Sequence, residues 1–250
     1  MKQASAYAQR PAWLSGTIIV SAVLFVVAAA MGLHPALSPE DVNQGHLIRI
    51  MYAHVAVAWI GFVAIGVAAF WGAMFLWKSD PRHDVRAQAA AELGLIYSLL
   101  TVIGGMTYSK PTLNTFWTWD AKLTLTAIMV TLLVGYFIVR ALIDDPVRRG
   151  RISAVILLIV LISLPFNYLA AEWFRTLHPA KSIAVDGSGV TMAPEMLRVL
   201  LLNVAAGGLV FFYFISERIR IGRLTLSDAH ARSGFEQAAP AATGEVVRVR

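Results

Sequence analysis

Apolar residues fall along this chain in long blocks, and charged residues are confined to the gaps between them. Six blocks are legible: about Leu14–Leu33, Ile50–Trp77, Gln88–Met106, Leu123–Leu142, Ile152–Ala171 and Met196–Ile219. A helix that crosses a hydrocarbon layer about 30 Å thick needs roughly 20 such residues. Lipid offers a backbone no hydrogen-bond partners, so runs of this kind are predicted as helices that satisfy their own amides. The expected fold class is therefore all-α, a polytopic membrane protein with six transmembrane helices in residues 1–223. Residues 224–250, rich in Ala, Gly and charge, are predicted as a mobile extension on the cytoplasmic side. Leu14–Leu33 follows Lys2 and Arg10 and carries Ala28-Ala29-Ala30, yet its apolar core exceeds the roughly 7–15 residues of a signal peptide, so a retained first span is expected.

Composition agrees: 58% of residues are hydrophobic and only 14% charged, far less charge than a soluble domain carries. The cations then set an orientation. The N-terminal segment, the gaps at 78–87 and 140–151, and the tail share one side, and together hold 15 of the 21 Lys and Arg. Arg49, Lys110, Lys122, Arg175, Lys181 and Arg198 fall on the other. Basic residues favour the cytoplasm, which places both termini inside and the connections at 34–49, 107–122 and 172–195 outside. The net charge of +6 is accounted for by these anchors, so nucleic acid is not an expected partner; membrane lipid is. Gly104-Gly105 and Gly207-Gly208 lie in no nucleotide fingerprint and read as points of close helix packing. Glu92, four residues past Gln88, falls at headgroup depth, and a proton relay through mid-membrane is not expected of it.

Candidate chemistry gathers on the outer side. Phe116, Trp117, Trp119 and Asp120 lie within five residues of one connection. Indole rings suit a boundary that is apolar on one edge and wet on the other, such as a lipid interface or the face of a flat aromatic ligand. His54 belongs to the run from Ile50 to Trp77, which would be roughly 42 Å long as a helix and so projects its first turns past the hydrocarbon. His178 follows Glu172-Trp173-Phe174-Arg175-Thr176-Leu177 just beyond the fifth run. Each histidine alone is compatible with an ordinary interfacial side chain. Two at one depth beside a Trp cluster fit a porphyrin, which takes nitrogen donors on both faces of its iron, a flat apolar wall and cations for its propionates. Zinc competes as the metal, with Asp120 or Glu172 as a further ligand. His34 and His46 fall in the first outer connection, and His83 and His230 read as surface residues of the inner side. The chain has no cysteine, hence no disulfides, no thiolate metal site and no covalent haem attachment of the c type.

Three blocks together resemble the haem exporter protein C family, the Trp-rich membrane component of system I cytochrome c maturation. They are Arg49-Ile50-Met51-Tyr52-Ala53-His54-Val55, then Lys110-Pro111 with Thr115-Phe116-Trp117-Thr118-Trp119-Asp120-Ala121-Lys122-Leu123-Thr124, and Leu164-Pro165 with Glu172-Trp173-Phe174-Arg175-Thr176-Leu177-His178-Pro179. The likeness covers about residues 10–220. It implies a non-covalent, b-type haem held at the periplasmic face of a bacterial inner membrane and delivered to a periplasmic chaperone that holds haem covalently. His54 and His178 would be its axial ligands, with Trp117, Trp119 and Asp120 as the platform and Phe116 beside them. Implied partners are a pair of ATP-binding-cassette subunits and a very small single-span helper. Leu113 and Phe116 stand where Trp is common, and Lys122 where Arg is usual. Lys122 keeps the charge without the bidentate fork. Arg49, Lys122 and Arg175 are candidate propionate partners, Arg49 first because its guanidinium offers paired donors.

Such a protein is a carrier rather than an enzyme. A membrane b-type cytochrome would place paired histidines inside facing spans, whereas only His54 is inside one, at its edge. A small-solute transporter is weakened by the scarcity of charge in mid-span. A haem ligase of the related single-complex system is usually longer, with more outer-facing domain.

Overall fold

The computed structural model describes residues 10–40, 44–178, 189 and 192–238, without the side chains of 230 and 232–238. Lys2, Pro179, Lys181 and the segment after Ala238 with Arg248 and Arg250 lie outside the described residues, as do the side chains of His230 and Arg232. Every regular element among the described residues is helical. The helices are α1 (Ala12–Leu33), α2 (Arg49–Lys78), α3 (Pro81–Leu113), α4 (Ala121–Leu142), α5 (Pro146–Trp173) and α6 (Pro194–Ala238). A 3-10 turn, His46–Ile48, leads into α2. All six helices are long and apolar enough to cross a membrane, so the all-α, multi-pass architecture read from the apolar runs is the one observed.

The helices start earlier than the apolar runs do. Asp80 accepts from the Arg82 amide at 2.8 Å ahead of Pro81, and Asp145 accepts from the Arg148 amide at 2.6 Å ahead of Pro146. An Asp cap followed by proline at the first helical position starts a helix among polar residues. The expected 78–87 gap thus shrinks to Ser79-Asp80, with Ser79 left-handed at φ 53°. At the other end α3 runs past Met106 to Leu113 with Pro111 inside its last turn, and Asn114 closes it at φ 56°. Lys110-Pro111 therefore belongs to the helix rather than to the connection. Likewise α6 continues through Leu224 as far as Ala238.

Helix α2 is central, packing against α3, α5 and α6, while α4 packs on α5 and α1 on α6. Small side chains allow these approaches. A Cβ added at Gly61 would lie 3.4 Å from that of Tyr97, and one at Gly72 would lie 3.4 Å from Ala154. Lipid tails are as apolar as leucine, so close backbone packing of this kind is what holds membrane helices together. Ile65, Ala68, Ala90, Leu133, Tyr136, Leu157 and Val160 form the buried centre, and the outward side chains of α1, such as Val23, Phe25 and Val26, are exposed as on a lipid-facing surface.

One end of the bundle is locked by charge. Arg140 of α4 makes a bidentate pair with Asp84 of α3 at 2.7 and 2.9 Å and reaches Gln88 at 2.8 Å. Gln88 donates to Glu92 at 3.1 Å, and Glu92 pairs with Arg218 of α6. Glu92 is thereby a structural ion-pair partner linking two helices. The opposite end carries the Trp segment.

Candidate functional site

The Trp segment is the short link between α3 and α4. Asp120 fixes it from both sides. Its Oδ1 accepts from the Leu123 amide at 2.9 Å and caps α4, a role dictated by an Asp immediately before an apolar helical run. Its Oδ2 accepts from the Leu177 amide at 3.1 Å and from Thr118 Oγ1 at 3.3 Å. One carboxylate thus ties the link to the segment after α5 that carries His178. Thr115 Oγ1 donates to the Trp117 carbonyl at 3.1 Å, and Ser109 Oγ to that of Thr115 at 2.8 Å, which shapes the link from within.

Trp117 and Trp119 pack edge to face, ring centres 5.6 Å apart at 78°. Trp119 is 77% exposed. Trp117 is half-buried, and its indole N–H has no hydrogen-bond partner among the described residues. Phe116 is exposed, with the Lys110 ammonium 5.2 Å from its ring centre.

His54 lies on the second turn of α2 and faces α3. A Cβ on Gly104 would be 3.2 Å from His54 Nδ1, and one on Gly105 would be 3.2 Å from Cε1. The glycine pair read as a packing point is therefore packed on the imidazole itself. Nothing in the sequence joins residues so far apart, so this contact was not foreseen. Nδ1 is buried without a hydrogen-bond partner, and the nearby Thr101 carbonyl does not meet it at normal hydrogen-bond geometry. His178 and Lys122 both bear electrostatically on His54, so α4 and the segment after α5 each set a titratable group within electrostatic range of this histidine of α2.

Lys122 Nζ donates to the Asn167 carbonyl at 3.0 Å, and Asn167, buried, donates to Thr126 at 2.8 Å. The cation is held by α5 at the first turn of α4. Arg49 is placed differently. Its guanidinium reaches the Ser38 carbonyl at 3.4 Å, and Ser38 bonds Tyr52 at 3.1 Å. Five residues at about 100° each put Arg49 roughly 140° round α2 from His54. It shares a face with Tyr52, which packs toward Gly32 of α1 and Val199 of α6. Arg175 is exposed just beyond α5. Glu172 is exposed near the end of α5, and His46 pairs with Glu40 at 2.9 Å. Among the described residues no three His, Asp or Glu side chains converge as a metal site requires, so zinc gains no support.

These residues offer two imidazoles of separate elements, an unpartnered indole N–H, two indole faces and one tethered cation. That set suits a flat, metal-bearing, acidic ligand. The family model described as heme exporter protein C matches residues 2–232. The chain belongs to the haem exporter protein C family. Relatives of that name include one from Bradyrhizobium diazoefficiens, 34% identical over 187 residues, which covers 74% of this chain and 71% of the relative. One from Escherichia coli K12 is 32% identical over 169 residues, 66% of each chain. A ccmC-like mitochondrial protein of Marchantia polymorpha, named for cytochrome c biosynthesis, is 28% identical over 204 residues, 82% of this chain and 86% of its own. The haem exporter protein C match spans the helical bundle and the Trp segment alike, so membership and architecture rest on the same residues.

Proposed function

We propose that this chain holds haem at the Trp end of the bundle, on the periplasmic face of a bacterial inner membrane, and delivers it to a covalent haem chaperone for c-type cytochrome biogenesis. Three observations support this reading: His178 bears electrostatically on His54, Asp120 ties the segment of His178 to the Trp link, and Trp117 and Trp119 pack edge to face, in a chain of the haem exporter protein C family. His54 and His178 supply nitrogen donors to the iron, and the indoles of Trp117 and Trp119 cover the ring. Lys122 is the first cation for a propionate, because it is the one already brought to His54. The unpartnered Trp117 N–H is a second donor for a carboxylate. Arg49 holds the outer connection to α2 through Ser38, and Arg175 and Phe116 form the rim.

The donors explain why the cargo stays and also why it leaves. The proposed haem is non-covalent, of the b type; thioether attachment is excluded because the chain has no cysteine to form it. His178 sits on a segment anchored to the link by the Leu177–Asp120 bond, so one ligand rides on a loop and the other on a helix. Loop ligands move at lower cost than helix ligands. Release is therefore assigned to the His178 side, and no bond of the haem is made or broken by an enzymatic step. ATP-binding-cassette subunits and a very small single-span helper are the proposed partners, with both termini in the cytoplasm.

Haem transfer from the purified protein to a covalent haem chaperone tests delivery. The wild type should load the acceptor, and Trp119→Ala should load it several-fold more slowly at unchanged protein level. Haem that remains on the wild type through redox cycling and never reaches the acceptor would identify a membrane cytochrome instead.

A further inference from the structure

At the end of the bundle away from the Trp segment, a cavity of about 350 Å³ opens between α4 and α5, lined by Gln88, Phe137, Arg140, Ala141 and Arg149. We propose that this pocket binds a phosphate oxyanion, supplied by the headgroup of an anionic phospholipid, with Arg149 as its charge partner.

The charges in the pocket are unequal in status. Arg140 is committed: its two terminal nitrogens meet both Asp84 oxygens and Gln88, and its side chain is only 8% exposed. Asp84 cancels its charge. Arg149 has no acidic partner among the described residues, and its half-buried side chain carries a buried Nε with no hydrogen-bond partner. A guanidinium with one buried, unpartnered N–H and the rest open to the cavity suits an oxyanion, and phosphate meets it with paired acceptors. One positive charge is thus left over beside a cavity large enough for a headgroup.

Position favours a lipid as the source. Arg140 lies in the last turn of α4 and Arg149 in the first turn of α5, so the pocket lies where two spans meet the edge of the hydrocarbon. Phe137 and Ala141 give it an apolar wall. Their neighbours Ile138 and Leu142, and Val147 of α5, are exposed apolar side chains that suit acyl chains. Basic pockets between spans at this depth suit anionic headgroups. The inference depends on the multi-pass fold and not on the haem site.

Native mass spectrometry of the full chain, titrated with phosphatidylglycerol or phosphatidylethanolamine, reads the site directly. The wild type should retain phosphatidylglycerol in preference to phosphatidylethanolamine. Arg149→Gln should lower that retention about tenfold, the usual order for one charge-assisted pair. Arg149→Lys should restore part of it, and Arg151→Ala, at an exposed site two residues on, should leave it unchanged. Equal retention of the two lipids overturns the proposal, and does so on the wild type alone should Arg149→Gln not fold. Equal losses in Arg149→Gln and Arg151→Ala also overturn it, since that is a diffuse surface charge. Millimolar inorganic phosphate that displaces the lipid completely would overturn the lipid source and leave a soluble phosphate as the occupant.

Discussion

Gly104 and Gly105 matter here for what they lack. With no Cβ on either, α3 lies directly on the His54 ring. Gly104→Ala/Gly105→Ala should push the imidazole away and lower haem retention several-fold while helical content measured by circular dichroism stays normal. Loss of the helical signal as well would make the pair a folding element only. Asp120 separates charge from capping. Asp120→Asn keeps a good cap, whereas Asp120→Ala should cost about 1 kcal/mol and free the Leu177 amide as well. Thermal unfolding in detergent should rank wild type and Asn close together, with Ala below them. That Asp120 belongs to the Trp segment and Arg49 to the block of His54 was legible in the sequence. The cap that Asp120 gives α4 and the roughly 140° between Arg49 and His54 emerge only with the helix boundaries. Contact between His54 and Gly104 was not legible, because it depends on how two helices rotate against each other.

Between helices, Asp84 and Arg140 form a bidentate ion pair. Both side chains are mostly buried, so removing one leaves the other charged and unpaired. Asp84→Ala should cost roughly 3–5 kcal/mol, read as a drop in unfolding temperature or loss of protein from the membrane. Asp84→Leu combined with Arg140→Met should cost much less, because no charge is then stranded. Equal losses in the single and double variants would mean that the side chains act by packing alone. Apolar runs revealed every span, since 20 consecutive apolar residues have few other uses. They missed the true starts of α3 and α5, where Asp-Pro begins a helix among charged residues that periodicity treats as loop. They missed the end of α3 because the apolar run stops at Met106 while the helix continues through Lys110 and Pro111 to Leu113, and a last-turn proline gives up only one hydrogen bond there.

Across the whole molecule, charge asymmetry and the Trp segment give the bundle two unlike ends. Single cysteines read the orientation cleanly in a chain that has none. Leu113→Cys, at an exposed site before the Trp link, should react with an impermeant thiol reagent in intact cells, and Asp144→Cys at the opposite end should not. The reverse pattern would put the candidate haem site in the cytoplasm. That His54 lies near the outer end of the second apolar run and His178 just beyond the fifth was legible in the sequence. That His178 bears electrostatically on His54 was not, since it depends on a fold in which the Leu177 amide bonds Asp120, a contact between distant segments. The joint role of the two histidines is also the point most open to measurement. It is the absorption spectrum of the purified, haem-loaded protein, taken for the wild type, His54→Ala, His178→Ala and the double variant. Each single change should shift or weaken the Soret band, and the double change should abolish it; a double variant with the wild-type spectrum would contradict the site.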